Sequence, residues 1–406
     1  MGNDRLSVDL SRRKLLKGLA LGGAAVGLSG SVGSLLAACS PSGGSSGPIK
    51  VGALTDITGA FGVVGKSNQL IAQFTIDEIN AAGGVLGRQL QMVLVDSATD
   101  PAVGATVARQ LIEKDKVDVV IGGVASNMRE AIKGIIATTG KTIYLWPASY
   151  EGGECTPNVW NVGAVPNQQV DPTVAYAIAK GAKSFYLCGA DYLYPRNMLK
   201  QVRTKVEAAG GTIVGEDYLP LNATDASSLV SKALAAKADA IFDVTVLPTS
   251  VQFVKGVVGG GFKGLHLTSL YDEGVNALFG PDVAGIICAQ DYFASGGNDD
   301  FTTKKVAEFK AKYPNGVFAA TFNSPAWYRG LHLWKVAVEK AGSLDLAKVN
   351  AAMDSASLTQ GIGGPAAFKP VTHHCTLQMR LGEMQADGSV KILKDLGTLD
   401  PTGQCG

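Results

Sequence analysis

The sequence predicts an α/β protein made of two successive units, and three observations carry that prediction. Short apolar runs alternate with stretches of helical periodicity from Ile49 onward, and the alternation starts again after Asn167. A composition of 46% hydrophobic and 17% charged residues in 406 fits a globular chain of more than one domain.

The first series opens with the apolar strand 49–54, and a Gly-rich turn, Gly59-Ala60-Phe61-Gly62, leads into a helix over 67–82. In that helix Leu70, Ile71, Phe74, Ile76 and Ile79 recur at helical spacing, and Gly83-Gly84 ends it. A strand over 90–95, a helix over 102–115, a strand over 117–121, a helix over 129–139 and a strand over 141–146 follow. The second series reads helix 168–181, strand 184–188, helix 197–209, strand 212–218, helix 225–236, strand 240–244 and helix 250–258. Strand followed by helix, repeated, implies a parallel sheet covered on both faces. Ligands of such sheets sit at the carboxyl ends of the strands, so a cleft between two lobes of similar build is the expected site.

The N-terminus carries a different message. Residues 11–17 read Ser-Arg-Arg-Lys-Leu-Leu-Lys, and residues 18–38 are rich in Gly, Ala and Leu with no acidic residue. This looks like a twin-arginine export signal over 1–38, ending in Leu36-Ala37-Ala38-Cys39, which resembles a bacterial lipoprotein box with Cys39 as the lipidated residue. The stretch 39–48 is a Gly/Ser/Pro tether with nothing apolar to pack. The expected localisation is therefore outside the cytoplasm, with the membrane touched only through the lipid anchor.

The formal net charge is +1, and removing five basic and two acidic residues with the signal leaves 31 positive against 33 negative. No basic cluster remains to hold a polyanion, so nucleic acid is excluded as a partner. Of the six cysteines, five lie beyond Cys39. Cys188 and Cys288 fall in apolar runs and read as buried thiols, while Cys375 and Cys405 stand equally as a disulfide or as two free thiols.

The motifs of catalysis are missing. There is no phosphate-binding Gly-x-x-x-x-Gly-Lys-Ser/Thr and no His-Glu-x-x-His, the Gly-rich turn after the first strand lacks the Gly-x-Gly-x-x-Gly order, and no Gly-x-Ser-x-Gly elbow follows a predicted strand. Of the four histidines only His373 and His374 are adjacent, and neighbours on a strand point to opposite faces, so no metal site is implied. The expectation is a protein that is not an enzyme and has no cofactor. What remains are polar and aromatic loops at strand ends: Val124-Ala125-Ser126-Asn127, Trp146-Pro147-Ala148-Ser149-Tyr150, and Asp191-Tyr192-Leu193-Tyr194-Pro195-Arg196. Each alone reads equally as a capping turn or a binding loop, and three in equivalent positions favour binding a small molecule.

These loops carry a family likeness. Tyr150-Glu151-Gly152, Pro157-Asn158-Val159, Pro166-Asn167-Gln168-Gln169 and the 191–196 stretch, together with the run 79–87, the run 337–342 and the closing His373-His374 and Gly388, resemble the urea- and short-chain-amide-binding branch of the type I periplasmic binding proteins. That branch belongs to the leucine/isoleucine/valine-binding family that serves ABC transporters. The resemblance implies two Rossmann-like lobes joined by three crossovers near 164–167, 292–295 and 372–375, with lobe 1 at 49–165 and 294–372 and lobe 2 at 166–293 and 373–406. It also implies an ABC permease as partner.

Carried over by position, Ser126 matches the ligand-binding serine, with Ala125 and Asn127 flanking it. Ala148 and Ser149 line the first-lobe wall beside Trp146 and Tyr150, Tyr192 and Tyr194 cover the ligand, and Glu273 matches the acidic residue that receives an ammonium group. The chain departs from the branch in having Val124-Ala125 before the serine, an apolar Ala148, and the apolar loop Thr245-Val246-Leu247-Pro248. Each change exchanges hydrogen-bonding capacity for apolar surface, worth about 25 cal/mol per Å² buried. The expected ligand is a small amide, a urea-like compound or an amino acid, with these departures favouring one that has an apolar portion. Alternatives are a branched-chain amino-acid binder of the same fold and a ligand sensor acting on a regulatory partner.

Overall fold

The computed structural model describes residues 47–271, 273–316 and 323–405. The expected signal, Cys39 and all of the tether before residue 47 lie outside the described residues. The first series forms β1 (Ile49–Thr55), α1 (Gly62–Ala81), β2 (Leu90–Asp96), α2 (Pro101–Arg109), β3 (Val119–Gly122), α3 (Ser126–Thr139), β4 (Ile143–Trp146) and β5 (Val159–Asn161). The second forms α4 (Pro166–Ala179), β6 (Ser184–Asp191), α5 (Leu193–Ala208), β7 (Thr212–Pro220), α6 (Ser227–Ala235), β8 (Ala240–Val244), α7 (Thr249–Gly259), β9 (Leu265–Thr268), α8 (Glu273–Phe279) and β10 (Ile286–Gln290). The chain then runs through α9 (Asp300–Lys312), α10 (Ser324–Ala341), α11 (Leu346–Met353), β11 (Ser357–Leu358), β12 (Ala366–Lys369), β13 (His374–Met384) and β14 (Val390–Leu399).

The strands form one sheet in the order β2-β1-β3-β4-β5-β13-β10-β9-β8-β6-β7. Each end of it is parallel, as strand–helix alternation requires: β1 pairs with β2 and β3 (Ile49↔Leu90, Val51↔Val119), and β6 pairs with β7 and β8. The inner strands β1, β3, β6 and β8 are buried on both faces, which is why they read as unbroken apolar runs, whereas the edge strands β2 and β7 are partly exposed. Between the two parallel halves runs β13, touching β5 at His374↔Asn161 and pairing antiparallel with β10 from Ile287↔Glu383 to Gln290↔Arg380. After β10 the chain returns to the first half, where Trp327, Leu331 and Trp334 of α10 share a core with Ile71 and Phe74 of α1.

Several boundaries differ from the sequence expectation for local reasons. The helix expected over 102–115 is α2 followed by a π-helical turn, Gln110–Lys114, and it is started by Asp100, whose carboxylate accepts from Ala102 N–H at 2.7 Å. α3 begins at Ser126 and α5 at Leu193, each taking in residues expected as loop. Pro195 is tolerated in α5 because the first-turn N–H groups have no partner in the helix. The backbone after β3 turns tightly into α3 at Gly123, where φ is +84° and an added Cβ would lie 2.6 Å from the Trp146 ring.

The disulfide joins Cys155 to Cys405, not Cys375 to Cys405. Cys375 is fully buried opposite Phe368 in the β12–β13 pair, whereas Gln404 Oε1 accepts the Gly153 N–H at 2.6 Å and so holds the end of the chain beside Cys155. Cys188 and Cys288 are buried thiols outside this disulfide, as expected. His373 and His374 go to different partners: His373 stacks on Trp160 at 4.1 Å, and His374 stacks on Tyr150.

Candidate functional site

At the carboxyl ends of the strands, between the two halves of the sheet, lies a cavity of about 290 Å³. The first half supplies Phe61, Val63 and Val64 after β1, Val124 after β3 and Ser149 after β4. The second half supplies Tyr192 and Tyr194 after β6, the stretch Thr245-Val246-Leu247-Pro248 after β8, and Leu270, Tyr271 and Phe279 after β9. Ser250, in the first turn of α7, completes this wall. Among the described residues that line it there is no Asp, Glu, Lys, Arg or His. The surface is thus aromatic and aliphatic, with hydroxyl groups as its polar points.

Charge sits one layer behind this surface. In the first half Ser126 Oγ donates to Glu151 Oε2 at 2.7 Å, and Glu151 Oε1 pairs with Arg129 Nη2 at 2.9 Å. The Arg129 guanidinium lies 4.5 Å from the centre of the Tyr150 ring and 5.5 Å from that of Trp146. Burial works against its charge, and the adjoining Glu151 carboxylate outweighs burial and holds the guanidinium above its usual pKa. Glu154 is buried too, yet hydrogen bonding from Thr156 and Lys133 keeps its carboxyl below the usual range. His374 hydrogen-bonds the Tyr150 hydroxyl, and burial pushes the imidazole down to about 4.

In the second half the buried Asp243 carboxylate accepts the Thr245 N–H at 2.7 Å and the Tyr271 hydroxyl, and lies 3.2 Å from His266 Nε2. Burial and then the Asp243 charge raise the Tyr271 pKa, so this phenol stays protonated. Tyr194 Oη lies 3.1 Å from Ser269 Oγ, which fixes the ring that forms part of the cavity wall.

Of the residues singled out by sequence, Ser149, Tyr192 and Tyr194 come together on the cavity. Ser126, Ala125, Trp146, Ala148 and Tyr150 form the layer beneath the first-half wall, all of them buried. Asn127 reaches across to the other half, its Oδ1 accepting the Leu193 N–H at 3.3 Å. Glu273 lies apart from the cavity lining: its carboxylate accepts the Ala294 and Ser295 N–H groups and the Ser295 hydroxyl. A carboxylate with three donors already in place is poorly disposed to receive an ammonium. Phe61, Val63, Val64, Ser250, Leu270 and Phe279 were not anticipated as site residues. Their signal was position, since all of them follow the carboxyl end of a strand.

A cavity with apolar and hydroxyl side chains on its walls, at the strand ends of a sheet in two parallel halves, is a place where a small molecule can bind. Residues 48–389 match the Periplasmic binding protein family, and the chain belongs to that family. Among relatives, Leu/Ile/Val-binding protein homolog 7 of Brucella suis biovar 1 is 25% identical over 355 residues, covering 82% of this chain and 86% of its own. The leucine-, isoleucine-, valine-, threonine- and alanine-binding protein of Pseudomonas aeruginosa is 28% identical over 329 residues, covering 75% and 82%. Among solved structures, an ABC-transporter solute binding protein from R. palustris in complex with benzoate superposes with a TM-score of 0.78 at 21% identity, over 89% of this chain and 99% of that one. A leucine binding protein from Thermotoga maritima gives 0.75 at 21% identity, over 87% and 99%. At such identities the structures speak for the fold.

Proposed function

We propose that the protein is the extracytoplasmic solute-binding component of an ABC transporter and captures a small solute with an apolar body and one hydrogen-bonding end. The observation that carries this reading is the cavity lining: aromatic and aliphatic walls, scattered hydroxyls and, among the described residues, no charged side chain. The family and the names of the relatives support the transport role. The Cys155–Cys405 disulfide supports a location outside the cytoplasm, where such bonds persist, and among the described residues no helix is long and apolar enough to cross a membrane. Export by the twin-arginine signal, anchoring through Cys39 and delivery to a permease complete the proposal.

Within the amide, urea and amino-acid class, urea fits least. It would press donors and acceptors against Val63, Val64, Val246 and Leu247, and each buried polar group left without a partner costs about 1–3 kcal/mol. An amide on an apolar body keeps the likeness carried by the 150–152 and 191–196 stretches and satisfies the walls. A branched-chain amino acid is the second reading, favoured by the names of the relatives and opposed by the engagement of Glu273.

The test is a thermal-shift and calorimetric panel on the purified protein with aromatic and branched aliphatic amides, the corresponding acids, branched-chain amino acids and urea, because a solute that binds only the folded state raises its stability. Saturable binding of an apolar-bodied solute, accompanied by compaction in small-angle scattering, is expected. Binding of urea alone, or of no member of the panel, overturns the reading.

A further inference from the structure

Ser250 faces the cavity from the first turn of α7 and is 1% exposed, yet its Oγ has no hydrogen-bond partner among the described residues. A serine on a helix commonly gives its hydroxyl proton to the carbonyl four residues earlier. Here that carbonyl belongs to Val246 and already receives the Ser250 N–H at 2.9 Å and the Thr249 hydroxyl at 3.0 Å. The local outlet is taken, and buried polar groups are seldom left unpaired in folded proteins. A hydroxyl kept in this state on a residue of the cavity wall is a group available to an occupant.

Thr245, five residues earlier on the same wall, has the opposite character. A phenol has one proton, and Tyr271 gives its own to the Asp243 carboxylate, which can only accept. The 2.9 Å contact between Thr245 Oγ1 and Tyr271 Oη therefore has Thr245 as its donor. With its proton so directed, Thr245 Oγ1 retains only lone pairs for the cavity. The buried Asp243 thus fixes, through Tyr271, the polarity of a hydroxyl that it does not itself touch.

We propose that Ser250 and Thr245 form the polar anchor of the cavity, Ser250 donating to an acceptor atom of the solute and Thr245 accepting from a donor atom. The end group that satisfies both is neutral and carries an acceptor beside a donor, as a primary amide does. A carboxylate meets the lone pairs of Thr245 and binds only by drawing that proton away from Tyr271. This inference rests on the proposed solute-binding function and narrows it to the chemistry of one end of the solute.

The experiment compares benzamide and isobutyramide with benzoate and isobutyrate by calorimetry at pH 7.5 on the protein and three variants. The amides are expected to bind at least tenfold more tightly than the matching acids. Ser250→Ala is expected to weaken amide binding by about tenfold while leaving the melting temperature of the free protein unchanged or raised, since it deletes an unpaired buried hydroxyl. Thr245→Val is expected to weaken amide binding and Thr245→Ser to preserve it. Acids binding as well as amides, or Ser250→Ala retaining full amide affinity, overturns the anchor while leaving the solute-binding function standing. Failure of all four probes and of the wider panel overturns both.

Discussion

Asn127 Oδ1 accepts the backbone N–H of Leu193 at 3.3 Å, a hydrogen bond that runs from the first turn of α3 in one half of the sheet to the start of α5 in the other. Phe61 and Tyr192 make a second link, with ring centroids 6.4 Å apart, and both rings face the cavity. Neither contact survives if the halves separate. Asn127→Ala, which deletes a hydrogen bond worth about 0.5–1.5 kcal/mol, is expected to lower solute affinity roughly 3- to 10-fold through faster dissociation. Stopped-flow dissociation rates check this, and an unchanged rate would show that the link contributes nothing to holding the halves together.

Ser126 is 2% exposed and bonded to Glu151, beneath the wall rather than on it. Ser126→Ala leaves Glu151 with its Arg129 partner but without a donor on Oε2. The expected outcome is a loss of about 1–3 kcal/mol in unfolding free energy with less than a tenfold change in affinity. Urea or guanidinium denaturation alongside calorimetry separates the two effects. A large affinity loss at constant stability would return Ser126 to direct contact with the solute.

The buried His374 has a pKa pushed down to about 4 from the ordinary 6.5, chiefly by burial. The unfolded chain takes up a proton below pH 6.5, while the folded protein does so only near pH 4. Stability from this group is therefore complete above pH 6.5 and falls as pH drops through that window, by roughly 3 kcal/mol in all. Denaturation midpoints between pH 7 and 4.5 are expected to decline less steeply in His374→Gln than in the wild type. Parallel slopes would sink this assignment.

Cys155 and Cys405 lie 250 residues apart, so their disulfide closes most of the folded chain into a loop. Cys405→Ser is expected to reduce unfolding free energy by about 2–5 kcal/mol, as loss of a long-loop crosslink does. Thiol titration of the denatured, unreduced protein without Cys39 should find three reactive groups, Cys188, Cys288 and Cys375. A reactive Cys405 in that titration would disprove the pairing.

The parts of the fold that could be read in advance are those where the pattern is local. β1, β6 and β8 were visible because sheets buried on both faces require unbroken apolar runs, and Ser149, Tyr192 and Tyr194 were visible because they follow such runs. β13 and β14 were not legible as a pair: register shifts at Met379/Arg380 and Leu381/Gly382 break the alternation that marks an antiparallel ladder. Glu273 and Cys405 escaped for a different reason. The partners that decide them, the 294–295 backbone and Cys155, are remote in sequence and are brought close only by the folded chain.

β13 is held by β5 at its first residue and by β10 only from Arg380 to Glu383. Between these two attachments β13 is laddered to β12 from His374 to Leu377 and to β14 from Leu377 onward. The β13–β14 ladder shifts register beside Met379, so the strand is not a regular ribbon along its length. In mechanical terms β13 is a beam shared by both halves: a load placed on one half is carried into the other through the ladder hydrogen bonds of a strand that contributes no residue to the cavity wall.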